Sequence, residues 1–336
     1  MATIGDVARE AGVSRSTVSS VLTGRKYVSP ETQAKVDAAV AKLQFSVNAG
    51  ARALATSRTM ALGVVVGFHE AEFSPALAAY LIALSDAARE QGYSVVLLTE
   101  PDGVEAVRRA ISGRQVDGFI LLNVVDDDPR LEPINKARYP AVLLGMPQDT
   151  RGVDAVDLDF AAGAAMLVDH LADAGHREAV FVKWPEELYA AGSTYANRFA
   201  SSARERAEQR GLRLVPIAVP VGPEQVRATL RAVLQDPENP RALLIHNDAA
   251  VAMLPFALHD LGLEVPADRS VVSLHAAELA RLYVLSFTSV ESEPAAVCQT
   301  AVEMLAKRIA SPDGPVQKRL IVPPHIEPKG SVQAAA

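Results

Sequence analysis

Cysteine is nearly absent from this sequence. Cys298 stands alone among 336 residues, so no disulfide can close within the chain, and a reducing compartment, the cytoplasm, is expected. Its setting after Ala295, Ala296 and Val297 favours a buried structural thiol over a reactive one. No run approaches the roughly 18 apolar residues of a membrane span, and residues 1–12 hold no cationic segment followed by an apolar one, which argues against a spanning helix or a secretory leader. Catalytic signatures are missing too. There is no Gly-x-Ser-x-Gly elbow, no phosphate-binding Gly-x-x-x-x-Gly-Lys-Ser/Thr loop and no Gly-x-Gly-x-x-Gly. The seven histidines show no metal spacing; His170 and His176, for example, do not share a helical face. The triplet Asp126-Asp127-Asp128 before Pro129 has carboxylates for a cation but reads as a solvated surface turn. Neither an enzyme, a metal site nor a cofactor is expected.

What the chain does have is a core-forming composition and an uneven charge. Apolar residues make up 49% and charged ones 22%, a soluble globular balance, and the length allows two or three folding units. The first sixty residues carry eight Lys/Arg against four Asp/Glu, a net of +4, which leaves −11 on the remainder of a chain whose total is −7. A small basic head on a large acidic body confines phosphate attraction to the head.

The head reads as three short helices. Thr3 stands three residues before Asp6, as in a capping box, and Ile4, Val7, Ala8 and Ala11 share one face of a helix that Gly12 stops. Ser14 can cap a second helix bearing Thr17, Val18, Val21 and Leu22, with Val13 plugging the turn; this is helix-turn-helix spacing. Ser29, Pro30 and Glu31 start a third, with Val36, Ala39, Val40 and Leu43 at helical period. Residues 48–55 are helix-compatible but too short to be stable alone.

Residues 2–19, Ala-Thr-Ile-Gly-Asp-Val-Ala-Arg-Glu-Ala-Gly-Val-Ser-Arg-Ser-Thr-Val-Ser, and the later Asn48, Ala51, Arg52 and Leu54 resemble the head and hinge of the LacI (LacI/GalR) family of bacterial transcriptional regulators. The resemblance implies that Arg15 and Ser16, opening the second helix, read bases in the major groove, and that the hinge around Asn48 and Ala51 folds on DNA with Leu54 as a minor-groove wedge. Arg15 suits bidentate bonding to guanine, with a phosphate contact as the alternative. Thr3, Ser14, Thr17 and Ser19 serve caps or phosphates, and Ser20 replaces an arginine common in the family.

From residue 60 onward apolar runs alternate with amphipathic segments (61–67, 75–91, 94–98, 104–112, 118–122, 141–144, then 163–174 through 294–310), the pattern of parallel sheets covered on both faces. Val116-Asp117-Gly118-Phe119, Asn247-Asp248 and Val322-Pro323 resemble the family's effector domain, similar to type I periplasmic sugar-binding proteins: an α/β domain of two lobes with crossovers near 159, 290 and 320. The expected domains are a helix-turn-helix at 1–46, a hinge helix and linker at 47–59, and an effector-binding and dimerisation domain at 60–336. Ligands of open parallel sheets lie beyond the carboxyl ends of the strands. That rule selects Phe68, His69, Glu70, Phe73, Asn123, Asp159, Trp184, Asn247, Asp248 and His275, and the resemblance adds Arg198. Asn247 has helix capping as its alternative role, and Trp184 the packing of a loop. His275 stands where sugar-binding relatives carry an aspartate, so a plain hexose fits less well. The expected function is a cytoplasmic, homodimeric repressor on a pseudo-palindromic double-stranded DNA operator, modulated by a carbohydrate-like small molecule. An effector-independent or activating regulator, or a solute-binding module with a vestigial head, are the alternatives.

Overall fold

The computed structural model describes residues 2–23, 27–45, 58–66, 75–220, 222–276, 280, 287–323 and 325–335. The chain divides into two compact units, Met1–Met60 and Ala61–Ala336.

The smaller unit holds α1 (Ile4–Ala11), α2 (Arg15–Thr23) and α3 (Pro30–Lys42). Thr3 and Asp6 cap α1 reciprocally: the Asp6 amide donates to Thr3 Oγ1 (3.3 Å), and the Thr3 amide donates to Asp6 Oδ2 (2.9 Å). Gly12, at φ 66°, ends the helix in the left-handed conformation that glycine adopts without strain. Ser29 caps α3 ahead of Pro30, whose missing N–H would have had no helical partner there. Val7, Ala8, Val18, Val36 and Ala39 are buried together, one small core shared by all three helices. None of these helices is long enough to persist alone in water, so this packing is what holds them.

The larger unit has two lobes. The first contains β1 (Ala61–Val65), α4 (Pro75–Glu90), β2 (Ser94–Leu98), α5 (Gly103–Ser112), β3 (Gly118–Leu121), α6 (Leu131–Ala137), β4 (Ala141–Leu144) and β5 (Asp154–Leu158). The second contains α7 (Phe160–Asp173), β6 (Glu178–Lys183), α8 (Glu186–Ala190), α9 (Thr194–Arg210), β7 (Arg213–Ala218), α10 (Pro223–Gln235), β8 (Ala242–Ile245), α11 (Asp248–Leu261), β9 (Ser270–His275) and β10 (Thr288–Glu291). The chain then returns: α12 (Pro294–Ala310) packs on α4, β3, β4 and β5. β11 (Lys318–Ile321) joins the first sheet beside β5, and β12 (Ile326–Glu327) joins the second beside β10. The sheet orders are β11-β5-β4-β3-β1-β2 and β12-β10-β9-β8-β6-β7. Every pairing is parallel except β10 with β12. The inner strands β1, β3 and β8 are buried along their whole length, which is why they read as unbroken apolar runs, whereas β2 and β7 at the sheet edges are part-exposed.

One expectation fails here. The acidic triplet is not a solvated turn throughout: Asp128 is 1% exposed and Arg130 8%. Arg130 grips the carboxylate with Nε (2.9 Å to Oδ1) and Nη2 (2.6 Å to Oδ2). The same guanidinium donates to the Leu122 carbonyl (2.9 Å) and the Val65 carbonyl (3.3 Å), tying the ends of β3 and β1 together. Adjacent acids suggest hydration, and Asp126 and Asp127, the latter paired with Arg151, are exposed; Asp128 alone of the three is buried. Asp126 accepts from the Gln148 amide.

Candidate functional site

In the head, the polar side chains singled out from the sequence gather at the start of α2. Ser14 Oγ accepts from the Thr17 amide (3.1 Å) and shares hydrogen bonds with the hydroxyls of Ser16 (2.7 Å) and Thr17 (2.8 Å). Ser20 turns back on its own helix and donates to the Ser16 carbonyl (2.9 Å). Thr3 is occupied with the α1 cap, its hydroxyl donating to Asp6 Oδ2 at 2.7 Å. Arg15 is exposed, and its guanidinium lies against Gly5 of α1. Ser19 sits one turn further along α2 and is half-buried. Asn48, Ala51 and Leu54 lie outside the described residues.

In the body, the ends of the strands converge on a cleft between the lobes. It encloses about 820 Å³ of empty space, part of it open to solvent. From the first lobe come Tyr80 of α4, Asn123 after β3, Gly145 after β4 and Asp157 within β5. The second contributes Phe160, Trp184, Tyr195, His246, Asp248 and His275. Backbone bonds clasp the two sides: the Thr194 amide donates to the Val124 carbonyl (3.1 Å) and the Asp126 amide to the Gly192 carbonyl (3.0 Å). Gly145, at φ 154°, leaves room beside this clasp: a Cβ there would lie 2.6 Å from the Cβ of Val124 in its own lobe and 3.2 Å from Oγ1 of Thr194 across the cleft.

The cleft is aromatic. Phe160 and Tyr195 have ring centroids 5.7 Å apart, Trp184 meets Tyr195 edge-on at 6.1 Å, and His246 stacks on Phe199 at 3.8 Å with 13° between planes. It also holds polar atoms that want partners. Trp184 Nε1, His246 Nδ1, His275 Nε2 and Ser292 Oγ are buried with no hydrogen-bond partner among the described residues, a costly arrangement unless something else supplies one. His275 Nδ1 is fixed by Ser273 Oγ at 2.9 Å, which leaves Nε2 as the free edge. Burial holds both imidazoles neutral, with His246 pulled down to about 3 and His275 to about 4.

Of the residues selected from the sequence, Asn123, Trp184, Asp248 and His275 line the cleft, while Asp159, Arg198 and Asn247 are turned to other work. Asp159 caps α7 through the Ala162 amide (3.0 Å), and Asn247 caps α11 through the Ala250 amide (3.1 Å). Arg198 donates to Asp157 Oδ2 (2.8 Å) and to the Leu158 carbonyl (3.1 Å), so its charge serves a neighbour that does line the cleft. Burial still raises the Asp157 carboxyl to about 7, with Arg198 opposing the shift. Phe68, His69, Glu70 and Phe73 lie outside the described residues. The sequence reading missed Tyr80, Asp157, Phe160, Tyr195 and His246. His246 was within reach, since it directly follows the β8 run; Asp157 was hidden inside a strand buried along its whole length, and Tyr80 faces inward from a helix. Cys298 is buried, its thiol donates toward the Tyr80 carbonyl, and burial pushes its ionisation up, as suits a structural rather than a reactive thiol.

A three-helix head with a helix-turn-helix, followed by two parallel-sheet lobes around a cleft, defines a DNA-binding regulator with a periplasmic-binding-protein-like body. Residues 3–48 match the model of bacterial regulatory proteins of the lacI family, and residues 168–332 match that of a periplasmic binding protein-like domain. The chain is 28% identical to the catabolite control protein A of Staphylococcus xylosus, covering 98% of this chain and 99% of that one. It is 27% identical to the ribose operon repressor of Escherichia coli strain K12, covering 98% and 100%. The solved structure of the lac repressor dimer bound to operator and the anti-inducer ONPF superposes with a TM-score of 0.78 at 25% identity, covering 98% of this chain and 99% of that one. The protein belongs to the lacI family of bacterial regulatory proteins and is a transcriptional repressor, not an enzyme. Among the described residues no helix is long and apolar enough to cross a membrane.

Proposed function

We propose that this repressor acts as a homodimer on a pseudo-palindromic operator, and that an uncharged, carbohydrate-like molecule held in the cleft modulates its grip on DNA. The observation that carries the effector reading is the set of four buried polar atoms without a partner among the described residues, all belonging to residues that line a ring-lined space. Ligand sites are mostly apolar surfaces with a few convergent polar groups. The indole N–H asks for an acceptor, and the neutral imidazole edge of His275 exchanges a hydrogen bond with a hydroxyl. No lysine or arginine is among the described lining residues, whereas two carboxylates, Asp157 and Asp248, are. Anionic ligands such as sugar phosphates are therefore disfavoured.

Dimerisation is supported by exposed apolar side chains on two helices that touch each other, Ile82 of α4 (65% exposed) and Phe256 of α11 (49%). The related lac repressor is a dimer on its operator. In the head, Arg15 and Ser16 read bases while Thr3, Ser14, Thr17, Ser19 and Ser20 position the helices on phosphates, and Asn48, Ala51 and Leu54 form the hinge. Two-fold protein symmetry makes the operator two-fold.

Thermal unfolding of the full chain against neutral sugars, nucleosides and sugar phosphates tests the effector reading. A ligand at 100 times its dissociation constant stabilises by about 2.7 kcal/mol. A neutral ring compound raises the body's transition, changes operator binding, and loses its effect in His275→Ala. A shift that survives in His275→Ala and in Trp184→Ala puts the ligand elsewhere.

A further inference from the structure

Gly5 is the least expected residue of α1. Glycine is a poor helix former, yet it occupies the first turn, and its backbone is not in the left-handed region that would require it. Val7 and Ala8 of the same helix bury into the head's core. Gly5 is buried as well, but the three heavy atoms nearest to where its Cβ would stand all belong to Arg15: Nη2 at 2.8 Å, Nε at 3.0 Å and Cζ at 3.1 Å. Alanine could adopt the same φ and ψ. What it could not do is leave that space.

We propose that Gly5 is a positioning residue for DNA recognition: the space left by its missing side chain is the seat of the Arg15 guanidinium, which fixes the fork that reads a base. The fork is otherwise uncommitted. Asp6, the nearest acid in sequence to Gly5, gives one oxygen to Thr3 and the other to Arg9 (3.1 Å), and no ion pair to Arg15 is present among the described residues. The arginine therefore keeps its donors for DNA while its plane is held against the α1 backbone. A long side chain immobilised before binding loses less freedom on binding, and the planar guanidinium makes two parallel bonds to guanine only in one orientation. Any residue with a Cβ at position 5 pushes the fork off its seat. Because the clash is with the far end of a flexible side chain, the fold gives way at Arg15 and not at the helix.

The inference rests on Arg15 as a base contact, and the experiment separates the two. The full chain, as wild type, Gly5→Ala, Gly5→Ser, Arg15→Ala and the Gly5→Ala/Arg15→Ala double variant, selects from a pool of double-stranded DNA with randomised sequence, and the bound fraction is sequenced. Gly5→Ala and Gly5→Ser are expected to lower the preference at one base step of each half-site on the order of tenfold, within the range for one bidentate contact. The thermal midpoint of the head stays the same or rises, and the double variant shows the profile of Arg15→Ala alone. If Arg15→Ala keeps every base preference, the base-contact reading falls and the seat with it. If Arg15→Ala flattens a step that both Gly5 variants leave intact, the inference alone is overturned. It is equally overturned if Gly5→Ala weakens all sequences alike, or adds a further loss to Arg15→Ala, because Gly5 would then act on DNA directly.

Discussion

In the head, Thr3, Ser14 and Ser29 each accept a hydrogen bond from an amide three residues on. In the cleft of the body, Tyr80 donates to the carbonyl of Ser292, 212 residues away. The difference concerns where information and cost reside. The head is assembled from signals within one turn, on side chains that are largely exposed, so each contact is cheap to lose. The body gathers polar groups that the topology has buried, where an unpaired donor or charge weighs several times more.

Asp128→Ala strains that contrast hardest. It strands the guanidinium of Arg130 among the carbonyls of Val65 and Leu122, and removing one partner of a buried pair costs about 3–5 kcal/mol. Denaturant unfolding of the full chain should show that loss in the body's transition. A loss under about 1 kcal/mol is what an exposed pair gives, and it would place Asp128–Arg130 in the same class as Arg9–Asp6 of the head, whose arginine is 78% exposed.

Thr3→Ala is the corresponding test on the other side. It removes the acceptor of the Asp6 amide and half of a reciprocal cap, worth about 1 kcal/mol. Faster hydrogen exchange of the α1 amides, with the body's amides unmoved, is the expected outcome. A loss as large as that of Asp128→Ala would mean that the head's small core magnifies local changes and that the contrast is one of size, not of burial.

The same division explains why some of the molecule is legible in its sequence and some is not. Caps, the glycine stop and the apolar period of α1 to α3 are local, and the alternation of runs and amphipathic segments is enough to announce parallel sheets. The cleft is only half legible. Asn123 and Trp184 stand just beyond the carboxyl end of a strand and His275 is the last residue of one, so a topological rule finds them. The same rule takes in Asp159 and Asn247, since a helix cap and a ligand contact look alike at the start of a helix, and only geometry shows that their oxygens are already committed to amides. Asp157 and Tyr80 obey neither rule: one is a charge inside a buried strand, the other a ring on a helix whose inward side is fixed by the second lobe. Their importance comes from the groups that stand opposite them, which no window of sequence contains.

The comparison can also be sharpened through pH. All seven histidines fall after residue 60, and two of them are held neutral by burial in the cleft. An imidazole ordinarily titrates near 6.5, but folded His246 does so only near 3. Between those values the unfolded chain takes up a proton that the folded body refuses, so this contribution to stability is lost as pH falls through the window. Asp157 works in the opposite sense: its carboxyl is raised from 3.8 to about 7, so the folded state is the better proton binder there, and stability is lost as pH rises. The wild-type profile is therefore a partial cancellation, and its slope alone identifies neither group. His246→Phe isolates one of the two. It keeps a flat ring stacked on Phe199 and removes the partnerless Nδ1, so its midpoint should fall less than that of the wild type between pH 6.5 and 4. The head has no histidine and should behave identically in both proteins over that range. If His246→Phe and wild type run parallel in the body, the ring is protonated or solvated in the folded state, and the cleft is more open to water than its burial implies.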